Sequence, residues 1–133
     1  GNLYISTIVT PKTGFVSLVF RESAVSAATP GPGGTVNPII GYYYLVDPFN
    51  AGYQLTRTDR VKSVTVIPNT PLAQKPATDF AMGVLAQGQQ ITLYVNGVPL
   101  STITDAGMQS GGIGLCTSGD AIFRDVQVYS LKS

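Results

Sequence analysis

Histidine and tryptophan are absent from this sequence, and cysteine occurs once, at Cys116. Without histidine, the common zinc sites and every catalytic triad built on an imidazole base are excluded. A lone cysteine cannot form a disulfide within the chain. With no histidine to activate it, we interpret Cys116 as a small buried apolar residue and not as a nucleophile.

Charged residues are also scarce, at 11% of 133 residues, where about 25% is usual. The 8 Lys and Arg residues against 7 Asp and Glu residues leave a net charge of +1, and they form no basic patch. We therefore expect no nucleic-acid partner. A surface built from Ser, Thr, Gln, Asn and Gly favours an extracellular, periplasmic or cell-surface protein.

The sequence has no long apolar run. The longest, around residues 39–46, is much shorter than the roughly 18 residues that a membrane helix needs. We therefore expect no membrane insertion in this segment.

Period-2 alternation and β-branched residues run along most of the chain, whereas no window has an apolar stripe at helical spacing. This pattern predicts an all-β fold, an antiparallel sandwich of about ten short strands. Asn96-Gly97 predicts a type I′ hairpin turn, because both residues tolerate positive φ. Pro99 should lie on a sheet edge, since it has no amide proton to donate.

Two long loops are expected, Ser26 to Pro38 and Pro68 to Asp79. The predicted strands are Leu3 to Thr10, Phe15 to Glu22, Tyr42 to Asp47, Tyr53 to Arg57, Ser63 to Ile67, Phe80 to Ala86, Gln90 to Val95, Val98 to Thr104, Ile113 to Thr117 and Ala121 to Leu131.

Four segments in this order carry a family resemblance: "GFVSLVFRES", "GYYYLVD…GYQLTR", "GQQITLYVNGVPLSTITD" and "GGIGLCTSGDAIFRDVQVYSL". Together they resemble the concanavalin A-like lectin and glucanase superfamily, in its 3-keto-disaccharide hydrolase-like and LamG-like branch. The resemblance implies a concanavalin A-like jelly roll. Because superfolds host many functions, it predicts the fold better than the activity.

The chain departs from that family at its start. Members begin with an extra stretch containing a Phe and Trp pair, which has no counterpart before Leu3. Gly1 in place of Met favours a single jelly-roll domain, residues 1–133, excised from a larger multidomain protein. A missing first strand would leave a sheet edge for a neighbouring domain or a homodimer to cover.

Candidate ligand-binding residues are polar or aromatic groups on the strands that we expect to form a concave sheet face. Tyrosine can stack on a sugar and hydrogen-bond through its hydroxyl, so Tyr42, Tyr43 and Tyr44 are candidates, although alternation places some of them in the core. Arg21 and Arg57 each follow an apolar run, so we expect them on neighbouring strands and pointing toward the concave surface, where a guanidinium suits vicinal hydroxyls or a carboxylated sugar. Ion pairing with Glu22, Asp47 or Asp59 is the alternative for these arginines, and Asp47 completes the candidate set.

The sequence gives little support for catalysis or metal binding. Glycoside hydrolysis needs two carboxylates about 5 to 9.5 Å apart, and Glu22 with Asp47 is the one pair worth considering. Asp47, Asp105 and Asp120 could hold calcium, but their spacing follows no ligand motif. We therefore predict no catalytic residues, no metal site and no cofactor.

The leading hypothesis is a non-catalytic, extracytoplasmic binding module that recognises carbohydrate on the concave sheet face. Two alternatives stay open. One is a sugar-processing enzyme domain like the glycoside or keto-glycoside hydrolases, and the other is a structural, sensor or protein-interaction domain of a multidomain bacterial protein.

Overall fold

A computed structural model describes residues 2–23, 40–58, 63–76, 78–105, 112–117 and 119–130. All ten predicted strands are confirmed, with boundaries that shift by a few residues. The strands are β1 (Leu3–Pro11), β2 (Val16–Ser23), β3 (Ile40–Asp47), β4 (Gly52–Thr58), β5 (Ser63–Pro71), β6 (Phe80–Gln87), β7 (Gln90–Val95), β8 (Val98–Thr104), β9 (Gly112–Thr117) and β10 (Ala121–Ser130).

The strands form two sheets of five strands each, and every pairing is antiparallel. Sheet A has the order β10-β1-β6-β7-β8, and sheet B has the order β5-β4-β3-β2-β9. Consecutive strands repeatedly cross from one sheet to the other, as in a jelly roll. The predicted all-β sandwich is therefore the observed fold. Among the described residues, no helix has the length and apolar character needed to cross a membrane.

The core lies between the sheets because alternate side chains on each strand point inward. Ile5 and Val9 on β1 are fully buried, as are Val84 on β6 and Leu18 on β2. Thr7, on the inner side of β1, is buried too, and its hydroxyl donates a hydrogen bond to the Arg124 carbonyl at 2.9 Å. Alternation in the sequence is thus the direct cause of the two-layer packing.

The Asn96-Gly97 turn is confirmed, with φ of 52° and 77°. The Asn96 side-chain oxygen accepts a hydrogen bond from the Ala81 amide at 2.9 Å, which ties the turn to β6. The next strand, β8, is an edge of sheet A, so the edge position predicted for Pro99 is confirmed as well. This hairpin is a scaffold element, and its contacts hold a sheet together.

The predicted loop from Pro68 to Asp79 begins later than expected. Strand β5 continues to Pro71, where Thr70 pairs with Tyr53 and Pro71 with Gly52. Proline is tolerated there because β5 is an edge strand, which needs hydrogen bonds on one side only. The other predicted loop, Ser26 to Pro38, lies outside the described residues.

Long side chains join the two sheets across the core. The Tyr44 hydroxyl on β3 donates to the Tyr94 carbonyl on β7 at 2.9 Å. The Tyr53 hydroxyl on β4 lies 2.7 Å from the Ser101 hydroxyl on β8. Strand β3 therefore faces β7, and β4 faces β8, which fixes how one sheet is placed over the other.

Candidate functional site

The three consecutive tyrosines of β3 divide between the two sides of sheet B. Tyr42 and Tyr44 point into the core and are fully buried. Tyr43 points to the outer face, where it is half-buried. Only the middle tyrosine is therefore placed to meet a ligand on the outside of the sheet.

The inner two tyrosines have structural contacts of their own. The Tyr42 ring stacks on Phe20 of the neighbouring strand, with ring centroids 5.1 Å apart. Burial raises the pKa of the Tyr44 hydroxyl above its usual range, so this group stays protonated and donates to Tyr94. Tyr42 and Tyr44 consequently leave the set of ligand-binding candidates.

Arg21 also points inward, contrary to the expectation that it faces a concave surface, and its strand is not a neighbour of the Arg57 strand, because β3 lies between β2 and β4. The pairing of β2 shifts register just after Phe20, and Arg21 has a φ of 52°. A bulge of this kind redirects a side chain that simple alternation would place on the other face. The Arg21 guanidinium is fully buried and donates to the Gly88 carbonyl at 2.7 Å, between β6 and β7. Burial lowers the pKa of Arg21 from its usual value.

Arg57 lies on the inner side of β4, the same side as Tyr53 and Leu55. One of its terminal nitrogens lies 2.5 and 2.7 Å from the two carboxylate oxygens of Asp105, which directly follows β8. Their side chains are 18% and 13% exposed. This ion pair joins sheet B to sheet A at one end of the sandwich, with a partner that the sequence did not suggest.

Asp47 lies at the end of β3 and stabilises the turn that follows. Its carboxylate accepts hydrogen bonds from the Phe49 and Asn50 amides at 3.2 Å each and from the Asn50 side chain at 2.8 Å. The Asn50 side-chain hydrogen bond, with help from the two amides, lowers the pKa of Asp47. Of the six candidates, the structure thus leaves Tyr43 on an open face and gives the other five roles within the fold.

A shallow groove of about 380 Å³ lies on the outer face of sheet B. Its aromatic residues are Tyr43 and Phe15, and Phe15 is 39% exposed. Tyr43 lies directly opposite Thr56 on β4, and Ser17 lies opposite Leu45. The full lining is Phe15, Ser17, Tyr43, Leu45, Thr56, Thr58 and Thr117.

The groove combines aromatic surface with hydroxyl groups. Among the described residues, the hydroxyls of Ser17 and Thr56 have no protein partner, whereas the Thr58 hydroxyl lies 3.2 Å from that of Ser63 and the Thr117 hydroxyl donates to the Phe15 carbonyl at 3.1 Å. The last contact fixes the backbone next to the Phe15 ring. Such a surface can stack on a flat apolar face and exchange hydrogen bonds with hydroxyls.

None of the described residues that line the groove carries a charge. Among the described carboxylates, Asp105 pairs with Arg57, and Asp79 pairs with Arg124 at 2.8 Å on the outer face of sheet A. The side chain of Glu22 is not among the described ones, so the structure does not test whether Glu22 and Asp47 come together. Within the described part of the chain, no three His, Cys, Asp or Glu side chains come together as a metal site.

Sheet A carries its own aromatic cluster on its outer face. Tyr4 lies between Tyr94 and Tyr129, with ring centroids 6.2 and 6.3 Å away. The Tyr4 hydroxyl lies over Gly83, 3.2 Å from where a β-carbon would stand. These rings therefore pack on one another and on bare backbone.

Sequence reasoning missed most of the groove. Thr56, Thr58 and Thr117 are small hydroxyl residues of a kind that is ordinary on an exposed strand, and Ser17 is only 4% exposed. Alternation along β4 could have predicted that Thr56 and Thr58 point outward, because they lie between residues of this strand that point inward. The groove residues come from strands β2, β3, β4 and β9. The order of strands in the sheet decides which of their polar positions lie together, and this order cannot be read from the sequence.

Comparison with solved structures shows that this sandwich fold occurs in other proteins. The carbohydrate-binding module CBM66 from Bacillus subtilis superposes with a TM-score of 0.76 at 16% identity, over 97% of this chain and 75% of that one. A galectin from Caenorhabditis elegans gives a TM-score of 0.68 at 10% identity, over 98% and 84%. Sheep galectin-11, in complex with glycerol, gives 0.61 at 16% identity, over 96% and 90%.

No protein-family model and no curated protein sequence matches this chain. At the identities found, the structural matches establish the fold alone. The chain therefore has the jelly-roll sandwich fold that galectins and this carbohydrate-binding module share. The 3-keto-disaccharide hydrolase-like and LamG-like branch stays a prediction.

Proposed function

We propose that this domain binds neutral carbohydrate in the groove on the outer face of sheet B, as a non-catalytic module of an extracellular, periplasmic or cell-surface protein. The observation that carries the proposal is the lining of the groove. Tyr43 and Phe15 provide aromatic surface, and Ser17 and Thr56 provide hydroxyls without a protein partner among the described residues. A volume of about 380 Å³ is in the range of small-molecule sites.

The absence of charge along the described lining selects the class of sugar. Sialic and uronic acids carry a carboxylate, and a site for them needs a cation such as arginine. Arg21 and Arg57, the arginines among the predicted ligand-binding residues, instead bond across the core on the inner side of sheet B. A neutral hexose offers apolar C–H faces and hydroxyls, which match the tyrosine ring and the small hydroxyl side chains.

The same lining favours binding over hydrolysis. Acid–base cleavage of a glycoside needs two carboxylates on either side of the bond, and no carboxylate belongs to the described lining. The structural neighbours give independent support, since one is a carbohydrate-binding module and two are galectins.

Glycan-array screening followed by calorimetry tests the proposal. We expect saturable binding to neutral oligosaccharides and none to their sialylated or uronic acid counterparts, with no product detected by chromatography. Tyr43→Ala should lower the affinity about two- to twelvefold, because an aromatic stacking contact contributes about 0.5 to 1.5 kcal/mol. The matched control is Tyr129→Ala, which removes a 52% exposed tyrosine from the outer face of the other sheet.

A second variant tests the hydroxyl contribution without changing shape. Thr56→Val replaces one hydroxyl by a methyl group, and the loss of one ligand hydrogen bond is worth roughly 0.5 to 1.5 kcal/mol, or about two- to twelvefold in affinity. Failure of every neutral sugar to bind would refute the proposal and favour a structural or protein-interaction domain. Loss of binding in Tyr129→Ala with retention in Tyr43→Ala would move the site to sheet A.

A further inference from the structure

Strand β10 exposes apolar side chains on the side that should face the core. Val128 pairs with Ile5, which is fully buried, so both side chains belong to the inner face of sheet A. Val128 is nevertheless 48% exposed, and Val126, two residues earlier on the same side, is 43% exposed. Exposed apolar surface of this kind on an inner sheet face is a site where another chain can pack.

The cause is an offset between the two sheets. Strand β4 faces β8 and β3 faces β7, as the Tyr53 and Tyr44 hydrogen bonds show. Arg21 on β2 reaches the turn between β6 and β7. If the same alignment holds for the next strands in each sheet, β2 faces β6 and β9 faces β1. Strand β10 therefore lies one strand beyond the edge of sheet B. Among the described strands, none of sheet B covers β10.

The position opposite β10 is also the position next to the free edge of β9. Strand β9 ends sheet B and pairs with β2 alone in the described part of the chain. Its other side therefore presents backbone amides and carbonyls that another strand can pair with. One added strand would satisfy this edge and cover Val126 and Val128 together.

We propose that a second copy of this chain supplies that strand, and that it does so with its own β10. The two copies are related by a two-fold axis that runs parallel to the strands, midway between the planes of the two sheets. Rotation about this axis places the partner's sheet A in the plane of sheet B, and the partner's sheet B in the plane of sheet A. The β10 strand of each copy, which extends beyond its own sheet B, then lies beside the β9 strand of the partner and can pair with it. The contact is isologous, with the same surface used by both copies.

Strand direction agrees with this arrangement. Strands β1 and β10 are antiparallel, as are β2 and β9, and β1 reverses into β2, so β9 runs opposite to β10. A two-fold axis along the strands keeps their directions, so β9 of one copy meets β10 of the other as an antiparallel pair. The valines of the two copies then face one another across the interior.

The size of the contact is that of a weak but specific dimer. Strand β9 is 6 residues long, about 20 Å, and a sandwich edge is about 10 Å high. Closing both edges and covering the overhang buries roughly 500 Å² on each copy, or about 1,000 Å² in total, which is the lower limit for a specific interface. We expect a dissociation constant in the micromolar range.

The dimer does not depend on sugar binding, but it would make the protein bivalent for the ligand of the proposed groove. The axis turns the outer face of sheet B of one copy to the opposite side of the dimer. The two grooves then face away from each other, so a dimer cross-links separate glycan chains and a monomer cannot.

Analytical ultracentrifugation up to about 0.5 mM tests the proposal. We expect a monomer–dimer equilibrium that Val128→Lys weakens at least about tenfold, because the lysines of the two copies would be brought together at the interface. The matched control is Ile122→Lys, which adds the same charge at the same 48% exposure on the outer face of β10. A monomer at all concentrations would overturn the proposal, as would a dimer that Val128→Lys leaves intact.

Hydrogen exchange locates the contact independently of these variants. The backbone amides of β9 and β10 should exchange more slowly at high protein concentration than at low concentration. Concentration-dependent protection of β5 or β8 instead would place the interface on the other side of the sandwich and overturn the proposal. Neutral-sugar binding by a monomeric wild type would leave the groove assignment standing while refuting the dimer.

Discussion

The two sides of sheet B use the same kinds of residue for different purposes. On the inner side, Tyr44 and Arg57 reach across the core and bond to groups of sheet A. On the outer side, Tyr43 lies beside Phe15 and small hydroxyl residues over an open groove. Parity along β3, and not residue type, therefore decides whether a tyrosine of this strand bonds across the core or lines the groove.

The largest expected effect is on the inner side. Tyr44→Ala leaves a cavity in the core and removes the partner of the Tyr94 carbonyl, so we expect the free energy of unfolding to fall by about 3 to 5 kcal/mol. Urea denaturation followed by circular dichroism measures it. Tyr43→Ala is the matched control one residue away and should cost less than about 1 kcal/mol. Equal losses in both variants would show that the two sides do not differ in this way.

The ion pair between Arg57 and Asp105 should give a smaller effect. Arg57→Ala leaves a mostly buried carboxylate without its cation, and we expect a loss of about 1 to 3 kcal/mol in the free energy of unfolding. A double-mutant cycle with Asp105→Ala isolates the interaction, since the double variant should be more stable than the sum of the single losses implies. Additive losses would contradict direct coupling between the two side chains.

The smallest expected effect lies at the end of β3 and depends on pH. The Asn50 hydrogen bond lowers the pKa of Asp47 in the folded state. The contribution to stability is therefore present above the unfolded value of about 3.9 and is lost as pH falls through the lower folded value. Thermal unfolding between pH 6 and pH 2 measures this loss. Asp47→Ala should be less stable than wild type near pH 6, and the difference should shrink below pH 4. A constant difference would show that the carboxylate charge is not responsible.

Much of the fold could be predicted from the sequence because its signals are local. Alternation in β1, the Asn96-Gly97 turn and the edge position of Pro99 each depend on a few neighbouring residues. Strand β5 ran further than predicted because its proline-containing end is tolerated only at a sheet edge, which is a property of strand order.

The candidate site was harder to predict. Alternation alone could have placed Arg57 on the inner face with Tyr53 and Leu55, but not found its partner Asp105, which lies 48 residues away in sequence. The inward direction of the Arg21 side chain could not have been predicted, because it depends on a bulge in β2 that the apolar pattern of this strand does not indicate. The groove gathers hydroxyl residues from β2, β4 and β9, and only the sheet order brings them beside Tyr43.

The sequence by itself determined the strands, the tight turns, the low surface charge and the absence of histidine chemistry, because these follow from composition and from contacts between near neighbours. Only the tertiary structure decided which of three adjacent tyrosines faces outward into a groove, what the two arginines bind, and that β10 projects beyond the edge of sheet B. These features depend on how two sheets are stacked and offset, and that stacking is set by contacts between residues far apart in the chain.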